Sequence, residues 1–113
     1  MDVVAISRLD VCLVNLDPTI GTEINKKRPC LVISPDEMNH GYIKTIIIAP
    51  MTTTIRKNFP TRIELVFGGK HGQIALDQMR AIDRVRIIKK LGKISIETQK
   101  ETLRLLQEIF AEG

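Results

Sequence analysis

The segment Asp17-Pro18-Thr19-Ile20-Gly21-Thr22-Glu23-Ile24-Asn25-Lys26-Lys27-Arg28-Pro29 sets a carboxylate, an amide and three consecutive cations between two apolar runs. A guanidinium matches phosphate oxygens well, because its planar fork donates two parallel hydrogen bonds. Pro29 fixes its own φ and biases Arg28 toward an extended backbone. The Arg28 guanidinium therefore sits where a loop meets a stiff strand, and loops held by rigid scaffolds often carry function. Two other segments place polar groups among apolar neighbours. Pro50-Met51-Thr52-Thr53-Thr54 closes an apolar run with three hydroxyls able to donate to phosphate oxygens. Asp77-Gln78-Met79-Arg80-Ala81-Ile82-Asp83-Arg84 carries polar side chains that must either brace loops or read a ligand.

Other catalytic constellations are missing. There is no P-loop, GxSxG or HExxH, and His40 and His71 both fall in turns, where a histidine is usually solvated. Ser34 has no histidine partner nearby in sequence. Cys12 and Cys30 form no CxxC pair and have no adjacent histidine, so no metal site is expected. They read as buried thiols in a reducing compartment, with a disulfide open only if their strands are neighbours.

The elements that must hold these groups come from the apolar pattern. The 113 residues suit one domain, 1–113, and 43% hydrophobic with 27% charged residues fits a globular protein. Short strands are expected at Val11–Leu16, Pro29–Ser34, Tyr42–Ala49 (stopped by Pro50) and Thr61–Phe67. Gly68 to Gly72 reads as a turn. Gln73–Leu76 and Met79–Ile88 follow as two strands or one bent strand. Short strands with short links argue for a mostly antiparallel barrel or sheet. The last segment changes period: Ile96, Gln99, Leu103, Leu106 and Phe110 recur at helical spacing, and Ser95 is the expected N-cap. This stripe is expected to pack on the sheet.

The net charge of +4 identifies no partner by itself. Its cations cluster at Lys26-Lys27-Arg28, at Arg56-Lys57 and from Arg80 to Lys93, so a shared basic groove is open. Lys89 to Lys93 read more simply as a solvated turn. No apolar run reaches membrane-spanning length, since Lys44 and Thr45 interrupt Ile43 to Met51. Met1-Asp2-Val3-Val4 lacks a signal-peptide pattern, and a cytoplasmic location is the default expectation.

Taken together, Leu16-Asp17-Pro18-Thr19-Ile20-Gly21-Thr22-Glu23, Lys27-Arg28-Pro29-Cys30-Leu31-Val32-Ile33-Ser34, Pro50-Met51-Thr52-Thr53 and Leu76-Asp77-Gln78-Met79-Arg80-Ala81-Ile82-Asp83 closely resemble the MazF/PemK family of toxin endoribonucleases. The resemblance runs from about Asp10 to the C-terminal helix. It implies a small SH3-like barrel with a C-terminal α-helix, of the MazF/PemK/CcdB type, forming a homodimer. It further implies ribosome-independent cleavage of single-stranded RNA at a short sequence, with no metal or other cofactor. A cognate antitoxin would insert an acidic, largely disordered segment into the RNA groove.

Within that resemblance, Arg28 and Thr52 match the family's catalytic Arg and Thr. Glu23 matches a position implicated in some relatives, where it would hold Arg28 or take the 2′-OH proton. Asn25, Lys26, Lys27, Thr53, Asp77, Gln78 and Arg80 are the expected RNA contacts. One departure stands out: some PemK-type relatives carry an Arg two residues before the Asp of the Asp-Gln pair, and here that position is Ala75. A mechanism centred on Asp77 is therefore doubtful, and Asp77 is expected to position RNA or brace a loop. Few aromatics are present, so recognition should lean on hydrogen bonds. Two other readings remain: a CcdB-like, gyrase-poison toxin that binds protein without nuclease activity, and an inactive RNA-binding module.

Overall fold

Strands β1 (Asp10–Asn15), β2 (Lys27–Val32) and β3 (Thr45–Thr52) form the middle of the molecule, and they are apolar on both faces. Successive side chains of a strand point to opposite faces, so this pattern demands two cores. Val11, Leu31, Ala49 and Met51 face one, together with Ile63 and Ile74. Cys12, Val14, Cys30, Val32, Ile46 and Ile48 face the other. The computed structural model describes residues 5–112. Met1 to Val4, which bear the reading of no leader, lie outside the described residues, as does Gly113.

The chain continues through helix α1 (Asp36–Asn39), which precedes β3, then β4 (Arg62–Phe67), β5 (Lys70–Ala75), β6 (Arg80–Asp83), β7 (Ile87–Lys93) and helix α2 (Ile96–Ile109). The strand order is β4-β5-β3-β2-β1-β7, with β6 also paired to β3 and every pairing antiparallel. The sheet curls into a half-barrel, and α2 packs on the first core. This is the mostly β architecture with a C-terminal helix that the resemblance implies.

Several boundaries differ from expectation, each for a local reason. Pro50 does not end β3. On one edge it faces Cys30 of β2, while on the other β6 has stopped at Ile48↔Arg80 and β5 starts at Met51↔Ile74. A residue without an N–H costs least in that gap. The strand thus carries Thr52 into the site. The turn between β4 and β5 shrinks to Gly68-Gly69, whose φ values of 58° and 76° favour glycine in a tight hairpin. The long Met79–Ile88 segment splits into β6 and β7 around a 3₁₀ turn at Arg84–Arg86.

Lys89 to Lys93 belong to β7, not to a turn. Two of them are structural. Lys90 Nζ and Lys93 Nζ lie 3.1 and 2.8 Å from the carboxylate of Asp10, which is fully buried. Ser95 caps α2 as expected, accepting from the Thr98 amide. Leu103 and Leu106 pack on the first core as expected, but the stripe is shifted toward Thr102 and Leu105, which are buried, while Ile96 and Phe110 are exposed. No helix among the described residues is long and apolar enough to cross a membrane.

Candidate active site

Arg28 lies in β2, one residue inside its start, and Thr52 ends β3. The strands are neighbours, so both side chains arrive at the same end of the sheet. The Arg28 Nε donates to the Asn25 carbonyl at 3.0 Å, which orients the guanidinium from its own loop. Arg28 makes no ion pair among the described residues. Thr52 is 8% exposed, and its Oγ1 accepts from the Thr54 amide at 3.1 Å, leaving the hydroxyl proton to donate elsewhere. These two residues form the shared wall between two cavities.

The larger of these cavities, about 330 Å³, is walled by Thr22, Ile24, Phe59, Arg62, Asp77 and Gln78 beside Arg28 and Thr52. Asp77 sits in a 3₁₀ turn (Leu76–Gln78) just beyond β5. Arg62 Nε and Nη2 grip its two oxygens at 2.7 and 3.1 Å, and the Thr61 hydroxyl adds a third bond. Burial opposes ionisation of Asp77, yet the Arg62 fork outweighs it and holds the carboxyl below its ordinary value. The Phe59 ring lies under the Arg62 guanidinium, 5.3 Å from ring centre to Cζ. Gln78 Oε1 accepts from the Ile24 amide at 3.4 Å, which ties the β1–β2 loop to this turn at the cavity wall.

Arg62 stands directly opposite Ala75 in the β4–β5 ladder. The guanidinium that accompanies Asp77 thus comes from the neighbouring strand, not from two residues upstream. Sequence reasoning misses it because Arg62, Glu64 and Val66 alternate as the solvent face of a strand does. Glu64 and Val66 are indeed exposed, but the Arg62 side chain is only 6% exposed. The tell-tale signal is Phe59-Pro60 just before it, an aromatic at the mouth of a strand.

The remaining expected residues divide. Lys27 and Thr53 line the second cavity, and Lys26 is exposed on the loop with a φ of 69°. Asn25 contributes its carbonyl. Glu23 is not brought to Arg28: its Oε1 accepts from the Ile20 amide at 2.6 Å and closes its own turn. Arg80 lies outside both cavities, with Nη1 donating to the carbonyl of Leu16, just past the end of β1. The histidines lie elsewhere too: His40 holds the Ile6 carbonyl and His71 lies beside Glu64. Cys12 and Cys30 do face each other across β1 and β2, but both are free thiols. Burial pushes them up to about 11 and about 12.

A family model described as PemK-like, MazF-like toxin of type II toxin–antitoxin systems matches residues 7–110. The endoribonuclease MazF of Staphylococcus saprophyticus is 35% identical over 99 residues, covering 83% of this chain and 82% of that protein. The crystal structure of MazF from Deinococcus radiodurans superposes with a TM-score of 0.78 at 24% identity, over 93% of this chain and 96% of that one. An endoribonuclease in complex with its cognate antitoxin, from a mycobacterial species, gives 0.76 at 17% identity, over 96% and 100%. These structural likenesses show the fold.

Proposed function

The chain belongs to the PemK-like, MazF-like toxins of type II toxin–antitoxin systems, and from that premise we propose how its site works as an endoribonuclease. RNA carries its own nucleophile, the 2′-OH next to the scissile phosphate, so the protein needs to align that oxygen and stabilise the phosphorane. The O2′–P bond forms as the P–O5′ bond breaks. The 2′-OH gives up its proton and the departing O5′ receives one, leaving a 2′,3′-cyclic phosphate and a 5′-OH. No metal is needed for this sequence of steps.

The observation that carries this reading is the Arg28 guanidinium, which meets no carboxylate among the described residues, beside the Thr52 hydroxyl at the boundary of two cavities. Arg28 neutralises the charge that grows on the non-bridging oxygens, and Thr52 adds a hydroxyl donor. With a pKa above about 12, Arg28 serves as an electrostatic partner first. Single-stranded RNA lies with its scissile phosphate on this wall. Asp77 and Gln78, held by Arg62 and Ile24, contact the base in the larger cavity; Lys26, Lys27 and Thr53 track the backbone. A gyrase-poison reading leaves the Arg28–Thr52 pair unexplained.

The chain acts as one domain over 1–113, as a homodimer in the cytoplasm. Its antitoxin covers the basic wall with an acidic segment. The mycobacterial endoribonuclease–antitoxin complex and the MazE–MazF complex of Deinococcus radiodurans support that arrangement.

Incubation of the purified protein with a long RNA in EDTA tests the proposal. Discrete cuts with cyclic phosphate ends are expected from the native chain. Arg28→Ala should remove them while melting at the native temperature, and Arg28→Lys should be badly impaired, because a point charge cannot reproduce the fork. Cleavage by Arg28→Ala at the native rate would overturn the assignment.

A further inference from the structure

We propose that the second cavity, on the far side of the Arg28–Thr52 wall from Asp77, is a nucleotide subsite. It would take the base and sugar next to the scissile phosphate by stacking and charge, without reading the base edge. The inference rests on the endoribonuclease reading above. Its space is about 250 Å³, at or below the lower end of the roughly 300–1,000 Å³ typical of small-molecule pockets. That suits one nucleotide better than a folded peptide element.

The chemistry of the walls is what distinguishes this cavity from its neighbour. Its apolar side is made by Met51, Leu65 and Phe67, the last two only partly buried. Its rim carries Lys27, Arg28 and Lys70, and no carboxylate among the described residues lines it. An apolar wall that includes an aromatic ring, beside three cations, fits a base with its phosphate, since every base has a π-face and every linkage a negative charge. The walls are rigid. A Cβ on Gly72 would meet the Thr52 carbonyl oxygen at 2.5 Å, so β3 and β5 pass as closely as backbones allow. Thr52 and Thr53 are fixed by that contact, and with them the distance from this cavity to the reacting phosphate.

The polar groups on this side are few. The buried amide of Gln73 is spent within the protein: its Oε1 accepts from the Arg56 amide at 3.0 Å, and its Nε2 donates to the Arg56 carbonyl at 3.3 Å and to Glu64 Oε1 at 3.5 Å. By contrast the larger cavity offers the Asp77 carboxylate and the Gln78 amide. The scissile phosphate therefore has one flank held by stacking and charge, and another where hydrogen bonds can select the base.

Kinetics on a short RNA with a single cut site tests this. Lys70 is exposed at the start of β5, so Lys70→Ala leaves the fold intact. It should raise KM about tenfold with kcat within about twofold, and should lower the salt slope of kcat/KM by about 0.7, the loss of one phosphate contact on a single strand. In parallel, the nucleotide on each side of the cut is replaced in turn by an abasic ribose. On one flank the loss should be roughly 5- to 150-fold, the equivalent of a base stack worth about 1–3 kcal/mol. Phe67→Leu should shrink that penalty on the same flank only. An unchanged KM and salt slope in Lys70→Ala, with equal abasic penalties in Phe67→Leu and native protein, would overturn the subsite while leaving the endoribonuclease reading untouched. That reading falls separately, by full activity of Arg28→Ala.

Discussion

Two basic regions of this molecule differ in what their charges face. Along β7, Lys90 and Lys93 converge on the buried Asp10, whose carboxylate also accepts from the Ser7 amide. At the mouth of the cavities, Lys27, Arg28 and Lys70 pair with no carboxylate among the described residues. In sequence both regions carry a short run of three cations, Lys89, Lys90 and Lys93 in one and Lys26-Lys27-Arg28 in the other. In the structure the first run pins β1 to β7, and the second is the one left open to an anion. Charge density by itself is a poor guide; the donor valence left unspent by the fold marks the site. Arg62 stands between the two cases, since it lines a reaction cavity yet spends its fork on Asp77.

The largest expected effect belongs to the open region. Thr52→Val keeps the shape and strand propensity of the residue but removes the donor. Loss of one transition-state donor is worth about 10²–10³ in kcat, and single-turnover cleavage should show it without a change in melting temperature. Full activity of Thr52→Val alongside loss in Thr53→Val would shift the wall by one residue.

The closed region should show the opposite split. Asp10→Ala removes the counter-ion of two lysines, and it strands the Ser7 amide. Both lysines are partly solvated, at 42% and 61% exposure, and can turn to water. The loss should therefore be about 2 kcal/mol, below the 3–5 of a fully buried pair, with cleavage by the folded protein unchanged. The same carboxylate gives a pH signature. Burial opposes its ionisation, but Lys93, the Ser7 amide and Lys90 together depress its folded pKa below the ordinary value. Its contribution is thus present above about pH 3.9 and is lost as pH falls through the depressed value. Asp77 behaves alike. Melting curves between neutral and strongly acid pH should show Asp10→Ala losing less stability on acidification than the native chain. A fall in kcat comparable to that of Thr52→Val would break the distinction between the two regions.

The intermediate case should give an intermediate effect. Arg62→Met retains the packing over Phe59 but frees Asp77, and misplacement of that carboxylate should lower kcat/KM about tenfold. Asp77→Asn should lower it comparably, and the double variant should add little, because the two act as one unit. Additive losses would mean that Arg62 touches RNA independently of Asp77.

Much of this arrangement is legible in the residues. Strict alternation and the near-continuous apolar run before Pro50 announce the strands, and Pro29 places Arg28 at a strand entrance. Sequence reasoning fails where tertiary context overrides a local rule. Pro50 usually stops a strand, but the change of partner from β6 to β5 leaves a gap on its edge. The helix stripe misleads at its ends, because Ile96 and Phe110 repeat as regularly as the packed Leu103 and Leu106, and a buried Thr is invisible to an apolar pattern. Its hydroxyl is satisfied within the helix by the Thr98 carbonyl. Arg62 and Lys70 escape because a residue's role across a ladder depends on what its partner strand presents, and no spacing within one strand encodes that.

The smallest expected effect concerns Glu23, and it sharpens the boundary of the open region. A carboxylate acting as general base on the 2′-OH would contribute about 10²–10⁴. Here the carboxylate is turned away from that role, with Oε1 held on the Ile20 amide at 2.6 Å and the Glu23 amide returning a bond to the Ile20 carbonyl at 3.2 Å. Glu23→Gln keeps an Oε1 acceptor for that turn and removes only the ability to take a proton. Its kcat should fall by about threefold or less, far under the general-base range. A loss of a hundredfold or more, with the pH–rate profile losing its acid limb, would mean that the loop opens on RNA and swings Glu23 to the 2′-OH, with Gly21 at a φ of 59° as the hinge. Hydrogen exchange of residues 20–27 with and without an uncleavable 2′-deoxy substrate separates the two outcomes: protection unchanged at Ile20 keeps Glu23 in its turn.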